Sequence, residues 1–396
     1  MKDVGEARSI VLDHAKRLPA ETTACMTAAL GMIVAEDVRA DLDSPPFAKS
    51  MMDGFAVRTA GAPFETPLEI VETVAAGTMP TKPVGAGQCS RILTGAPMPT
   101  GADAVVMVEK STVESDGRVR LRDAEIGPGR NVIARGQEMK AGDVVVPAGT
   151  PLSPASFGLI ASCGRTAVHC YRQPKVSLIC TGNEVVEANR KPAGAQIRNS
   201  NGPMLTAQTV RAGALPRYLG IGLDDDTMLR SLIEEGLQTS HVTVLAGGVS
   251  AGQLDLVPGV LAKLGVTIHF HKVRMKPGKP LLFGTRGDRM VFGLPGNPVS
   301  AYVGFELFVR PALDRLGGKP DSTSKPVELP LAESLSTNND RPTYHPAMVN
   351  HDSVTPLPWF GSADLRGLLN ANALIVVPEG PVVRMAGERV PVLPIA

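Results

Sequence analysis

The sequence has no apolar run approaching the about 20 residues that a membrane span requires, although 43% of its 396 residues are hydrophobic. It also has no charge excess. Lys and Arg number 40 against 39 Asp and Glu, a formal net charge of +1, and no basic cluster stands out. No membrane span is therefore expected, and nucleic acid is disfavoured as a main partner because its recognition leaves a basic footprint. Cysteine is scarce and scattered. Cys25, Cys89, Cys163, Cys170 and Cys180 are odd in number and include no CxxC pair. Neither a zinc-site spacing nor a disulfide framework results, and a reducing cytoplasm fits. The opening MKDVGEARSIVLDHAKRL is an amphipathic helix pattern containing acids, and it reads as no secretory signal.

Common site motifs are missing as well. No GxGxxG opens a sheet, no GxxxxGK[ST] is present and no credible GxSxG elbow is found, which weakens Rossmann, P-loop and serine-hydrolase readings. His269 and His271 would share a strand face, but no third His or Cys stands in a metal-ligand pattern with them. They read as ordinary strand histidines.

What is abundant is Gly (41) and Pro (34), pointing to many turns and short strands. The length suggests about two to four domains. Residues 3–18 and roughly 21–34 read as two helices, the second capped by Thr22 or Thr23. From about 47 to 140, short β-like runs such as PLEIVETV, GQCSRIL and AVVMVEKSTVE are separated by Gly/Pro-rich breaks. SPASFGLIASC then looks helical, opened by Ser153 or Pro154. From Pro174 strands and helices alternate: KVSLIC, NGPMLTAQTVRAG, RYLGIGL, DTMLRSLIEEGLQ, HVTVLAGG and onward to the helix PVSAYVGFELFVRPALDRLGG. That rhythm implies a doubly wound, mostly parallel sheet. The tail from Lys325 reads as strands of a small β barrel or sandwich. The expected fold class is multidomain α/β plus all-β. Its parts are a mixed, discontinuous N-terminal domain (1–46 and 141–173), an inserted β domain (47–140), a central α/β domain (174–320) and a C-terminal small β barrel (321–396).

Ligands of open α/β sheets sit beyond the carboxyl ends of the strands, where Gly allows close approach. Three strands here end in conspicuous loops: Thr181-Gly182-Asn183-Glu184, Gly247-Gly248-Val249-Ser250-Ala251-Gly252 and Leu294-Pro295-Gly296-Asn297-Pro298. Lys276 and Lys279 flank Pro277-Gly278, a turn suited to neutralising a phosphate or oxyanion. Glu184 and Asp255 follow two of the loops, and Asp224, Asp225 and Asp226 follow RYLGIGL. Acids gathered at neighbouring strand ends call for a cation, and their hardness favours Mg²⁺. At least one of Asp224–Asp226 is expected merely to cap a helix.

The segments SPPFAKSMMDGFAVR (44–58), RILTGAPMPTGADAVVMVE (91–109), TGNEVV (181–186), GGVSAGQLD (247–255), MKPGKPLLFG (275–284) and GLPGNPVSAY (293–302) together resemble the molybdopterin molybdenumtransferases. These are the gephyrin E-domain-like enzymes of molybdenum cofactor biosynthesis. The resemblance spans nearly the whole chain. It implies four domains with the second inserted in the first, and a homodimer with a shared active-site cleft. It also implies small-molecule substrates and transient contact with the molybdopterin adenylyltransferase. The implied Mg²⁺-dependent reaction converts adenylylated molybdopterin and molybdate to molybdenum cofactor and AMP. By the same resemblance, Asp53, Thr94, Glu184 and Asp255 are the catalytic candidates. Thr181, Gly182, Gly247, Gly248, Ser250, Lys276, Lys279, Pro295, Gly296, Asn297, Pro298 and Ser300 are the substrate-binding candidates. Asp53, Glu184 and Asp255 are expected at the metal. The family's aspartate before the helix falls on Asp224 or Asp225, with Asp225 carried in the metal set. Bare carboxylates repel molybdate, so a bridging cation or a protonated acid is required. Five positions depart from the family: Asn183 and Glu138 where it has, or often has, Asp, Pro346 where it often has Arg, and Arg366-Gly367 where it often has Ser-Ser. A tungstate-inserting enzyme and a non-catalytic molybdopterin-binding paralogue of the same fold are the alternatives.

Overall fold

A computed structural model describes residues 1–23, 26–60, 65–249, 256–319 and 326–395. The chain divides into two compact units. One comprises Met1–Ala35, Gly149–Leu152 and Ala167–Ala396, and the other Glu36–Ala148 with Ser153–Thr166.

The first unit is built on a six-stranded sheet. Its strands are β1 (Lys175–Thr181), β2 (Leu215–Gly222), β3 (Val242–Ala246), β4 (Thr267–Phe270), β5 (Leu282–Arg286) and β6 (Arg289–Leu294), in the order β2-β1-β3-β6-β5-β4. The first three pairings are parallel and the last two antiparallel. β3 is buried along its whole length, and β1 and β6 beyond their first residue. They therefore read as continuous apolar runs, as expected for strands covered on both faces.

Six helices serve this unit: α1 (Val4–His14), α2 (Asn201–Arg211), α3 (Asp226–Thr239), α4 (Val257–Lys263), α5 (Pro298–Gly304) and α6 (Arg310–Leu316). The pleat sends alternate side chains to opposite faces. Val176, Leu178, Val242 and Val244 join α1, α2, α5 and α6 in one core. Ile179 and Leu245 join α3 and α4 in the other. After β1 the chain runs outward to β2, whereas after β3 it crosses to the far side, so the topology switches direction between β1 and β3. That crevice is where such sheets bind ligands.

The same unit contains a five-stranded antiparallel sheet of Val327–Pro330, Arg389–Pro394, Ala373–Val377, Thr343–Asn350 and Ser353–Pro356. A bridge between Leu331 and Val354 links its two outer ends, around a core that includes Ala347, Ile375 and Val392.

The second unit holds a six-stranded sheet in the order Ala104–Met107, Gly54–Val57, Gln88–Ile92, Pro67–Val74, Val119–Leu121, Ser111–Val113. Phe55, Leu68, Cys89 and Val106 are fully or almost fully buried in its core. Helix Pro154–Ser162 belongs to this unit and opens as expected, with Ser153 and Ser156 forming a reciprocal capping box.

One expectation is corrected and another refined. The second N-terminal helix does not form. Ala20–Thr23 is a strand paired antiparallel with Val168–Tyr171, and only a short 3-10 turn, Met26–Ala29, follows. Local alanine propensity yields there to pairing with a distant segment that suits β-branched Thr22 and Thr23. The run from Pro298 is helical to Leu316, as expected, but not α-helical throughout. A buried π segment, Phe305–Val309, joins α5 to α6, beside Pro311, whose missing N–H cannot sustain the regular ladder.

Candidate functional site

The parallel register sets Cys180 beside Ala246 and Ala246 beside Leu294. The three expected loops therefore leave the sheet level with one another. They line a cavity of about 670 Å³ together with residues 197–201 and Asp224.

Glycine is required in this crevice by the chain's own packing. Gly247 and Gly248 have φ of +102° and +63°, and a Cβ on Gly247 would lie 2.6 Å from the Thr181 carbonyl oxygen. Gly182 has φ +135°, and a Cβ there would lie 2.6 Å from Glu184 Oε2. The Glu184 carboxylate is thus folded back over the end of β1. Gly296 differs. A Cβ there would meet only Gly247 Cα, at 3.7 Å, so the missing side chain leaves room in the cavity rather than relieving a clash. Pro298 opens α5 at N1. Asn297 does not cap that helix with its side chain, and Nδ2 donates instead to Ser362 Oγ at 2.8 Å.

A second lobe of about 490 Å³ contains Lys276, Lys279, Ser300, Arg341 and Trp359, and it shares Pro280, Pro295 and Asn297 with the first. Lys276 Nζ donates to Asn339 Oδ1 at 2.9 Å. Lys279 is exposed, and its ammonium has no ion-pair partner among the described residues. Trp359 is held by donation from Nε1 to the Gly361 carbonyl.

The acids after β2 separate by role. Asp224 lines the first cavity, and its N–H donates to Asn183 Oδ1 at 3.0 Å. Asp225 Oδ1 instead accepts the Met228 N–H at 2.8 Å and caps α3. Asp226 pairs with Lys263 at 2.5 Å. The structure brings Asp224, not Asp225, to the wall. Ser250 and Asp255 lie outside the described residues. Among the described residues no three His, Cys, Asp or Glu cluster as a metal site. Glu184 and Asp224 nevertheless put two carboxylates on one cavity wall, and this donor set fits Mg²⁺, which commonly takes one or two carboxylates plus substrate phosphate. His269 bonds Thr285 Oγ1 and His271 the Val249 carbonyl, each at 2.8 Å, but β4 ends at Phe270, so the two do not share a strand face as expected.

Sequence reasoning missed Asn199 and Asn201. Asn201 Nδ2 donates to the Gly296 carbonyl at 2.7 Å, tying the start of α2 to the loop after β6. Asn199 donates to Tyr218 Oη at 2.7 Å and accepts the Gly202 N–H at 2.9 Å, while Tyr218 donates to Glu187. Burial and neighbouring Glu187 push the Tyr218 hydroxyl well above its ordinary value, and burial pushes the Cys180 thiol up to about 11. Both stay neutral near pH 7. Asn-Ser-Asn before an amphipathic run was visible only as ordinary helix-start chemistry.

In the second unit, Asp53 and Thr94 pair with each other. Asp53 Oδ1 accepts the Thr94 backbone N–H and hydroxyl.

Residues 2–164 match the MoeA N-terminal region (domain I and II), 177–315 a probable molybdopterin binding domain, and 328–395 the MoeA C-terminal region (domain IV). The chain is 35% identical to the molybdopterin molybdenumtransferase of Bacillus subtilis (strain 168), over 92% of this chain and 87% of that one. It is 31% identical to that of Staphylococcus aureus (strain Mu50), over 98% and 94%. The crystal structure of a molybdopterin biosynthesis MoeA protein from Pyrococcus horikosii superposes with a TM-score of 0.83 at 29% identity, covering 99% of this chain and 98% of that one. With level strand ends, glycine crevice and lysine lobe all in a fold shared with these proteins, the chain belongs to the molybdopterin molybdenumtransferase family.

Proposed function

We propose that the protein inserts molybdenum from molybdate into adenylylated molybdopterin, with Mg²⁺, giving molybdenum cofactor and releasing AMP. The observation that supports this reading most is a pair of adjoining cavities whose walls share Pro280, Pro295 and Asn297. One lobe carries the Glu184 and Asp224 carboxylates, and the other the Lys276 and Lys279 ammonium groups. A substrate rich in phosphate suits the lysines, whose charge offsets its own. Glu184 and Asp224 would hold Mg²⁺ against the phosphoanhydride, where a bound cation supplies Lewis-acid polarisation. Asp255 joins the acid set and Ser250 the substrate contacts, as the family resemblance implies, and the same resemblance gives Asp53 and Thr94 catalytic roles. The four-part division at 1–46 with 141–173, 47–140, 174–320 and 321–396 belongs to the same proposal. So do the homodimer with its shared cleft, a cytoplasmic location and transient contact with the adenylyltransferase. No helix among the described residues is long and apolar enough to cross a membrane.

The test is an assay with adenylylated molybdopterin, Mg²⁺ and either molybdate or tungstate, comparing wild type with Asp53→Ala and Asp255→Ala. AMP release with molybdate, lost in both variants, is the expected result. Release with tungstate alone would reassign the metal. Release with neither oxyanion would remove the enzymatic reading and leave a binding protein.

A further inference from the structure

At the floor of the first cavity two polar atoms have no partner. Thr181 is 4% exposed and Asn201 8% exposed. Among the described residues, Thr181 Oγ1 and Asn201 Oδ1 are buried without a hydrogen bond, and both residues line the cavity. A buried unsatisfied oxygen costs stability that an apolar isostere would not. The Asn201 amide is oriented by its own anchor. Nδ2 must face the Gly296 carbonyl, because the reverse orientation would set two acceptors against each other. The atom left unpaired is therefore an acceptor and nothing else. The Thr181 hydroxyl stands beside the glycine pair, 2.7 Å and 2.9 Å from where Cβ atoms on Gly247 and Gly248 would be. It can both donate and accept.

We propose that Thr181 Oγ1 and Asn201 Oδ1 recognise an N–H-bearing edge of the substrate's heterocycle and thereby fix which way round the substrate lies. This inference rests on the function proposed above and deepens it. An ionised phosphate or oxyanion has no hydrogen to give Asn201 Oδ1. A neutral ring with an amino or amide N–H satisfies the acceptor and, through a ring nitrogen or carbonyl, the hydroxyl. The anionic groups then extend past Pro295 and Asn297, the residues shared by both lobes, toward Lys276 and Lys279. Specificity follows from the polar floor. A site built to pair buried polar groups rejects an analogue that leaves them unpaired. Both the pterin and the adenine of the proposed substrate carry such an edge, so separate probes are needed to tell them apart.

The test is titration calorimetry of the full chain with pterin, adenosine and pyrophosphate as separate probes. Wild type, Thr181→Val and Asn201→Ala are compared, with melting temperatures in parallel. At least one heterocycle binds wild type, and its affinity falls about tenfold in each variant, the scale of one lost hydrogen bond. Pyrophosphate affinity does not change. The melting temperature of Thr181→Val is equal to or above that of wild type, because an unpaired hydroxyl has been replaced by a methyl group of the same shape. The heterocycle that responds identifies the ring seated here. The inference is overturned if neither ring binds, if ring affinity is the same in wild type and Thr181→Val, or if Thr181→Val melts lower. Should those results coincide with normal AMP release, only this inference falls. Failure of AMP release in wild type would remove the proposed function.

Discussion

Thr94 gives both its backbone N–H and its hydroxyl to a single oxygen of Asp53, each bond 2.7 Å long. The backbone bond first and the hydroxyl second hold the Asp53 carboxyl below the usual carboxylate range. A depressed folded value means stability that is present above the unfolded value and lost as pH falls through the folded one. Asp53 is therefore ionised to a greater extent than an unperturbed aspartate at the same acid pH. A carboxyl NMR titration checks this. Thr94→Val, which keeps the stronger backbone bond, should move the midpoint only part of the way back.

Gly247 and Gly296 face the same cavity but should respond oppositely to alanine. Gly247→Ala forces a Cβ against the Thr181 carbonyl from a left-handed backbone and should destabilise by about 2 kcal/mol or more. Gly296→Ala meets nothing closer than 3.7 Å. It should change stability by less than about 0.5 kcal/mol while weakening binding of the substrate. Urea unfolding and calorimetry on the two variants separate packing from occupancy.

Asp224 and Asp225 give a similar contrast. Asp225→Ala removes the cap of α3 and should cost about 1 kcal/mol of stability. Asp224→Ala leaves that cap in place and should instead weaken Mg²⁺ binding. Equal effects of the two substitutions on Mg²⁺ affinity would contradict the placement described above.

Glu306, on the π segment, is a buried carboxylate whose side chain is 2% exposed. It accepts from Gln208 at 2.6 Å, from Arg310 at 3.1 Å and from Arg211. Glu306→Ala removes the acceptor these donors share, although Gln208 and Arg211 keep their bonds to Tyr302, and should lower unfolding free energy by about 3 kcal/mol, the scale for breaking a buried pair. Denaturant midpoints measure it, and a shift under about 1 kcal/mol would mean the network behaves as a surface one.

The central sheet was legible because β1, β3 and β6 are largely apolar runs ended by glycine or proline, a pattern that depends only on local composition. The three loops were legible for the same reason, and their meeting in one cavity followed from parallel register. Strand Ala20–Thr23 was not, since its partner Val168–Tyr171 lies far along the chain and alanines nearby favour helix locally. The capping role of Asp225 was foreseen for the acid run but could not be assigned among three adjacent aspartates. Asn201 was hidden because an asparagine at a helix start is commonplace. Only its bond to Gly296 shows that the amide oxygen faces the cavity.

Trp359 is the chain's one tryptophan, and it stands in the lobe with Lys276 and Lys279. The protein thus has an optical reporter already in place. Selective excitation of that indole should show an anion arriving at the lysines as a change in emission, without label or substitution, while events at the Thr181 floor leave its immediate surroundings unchanged. Arrival of the charged part of a substrate can then be followed on its own in a stopped-flow trace.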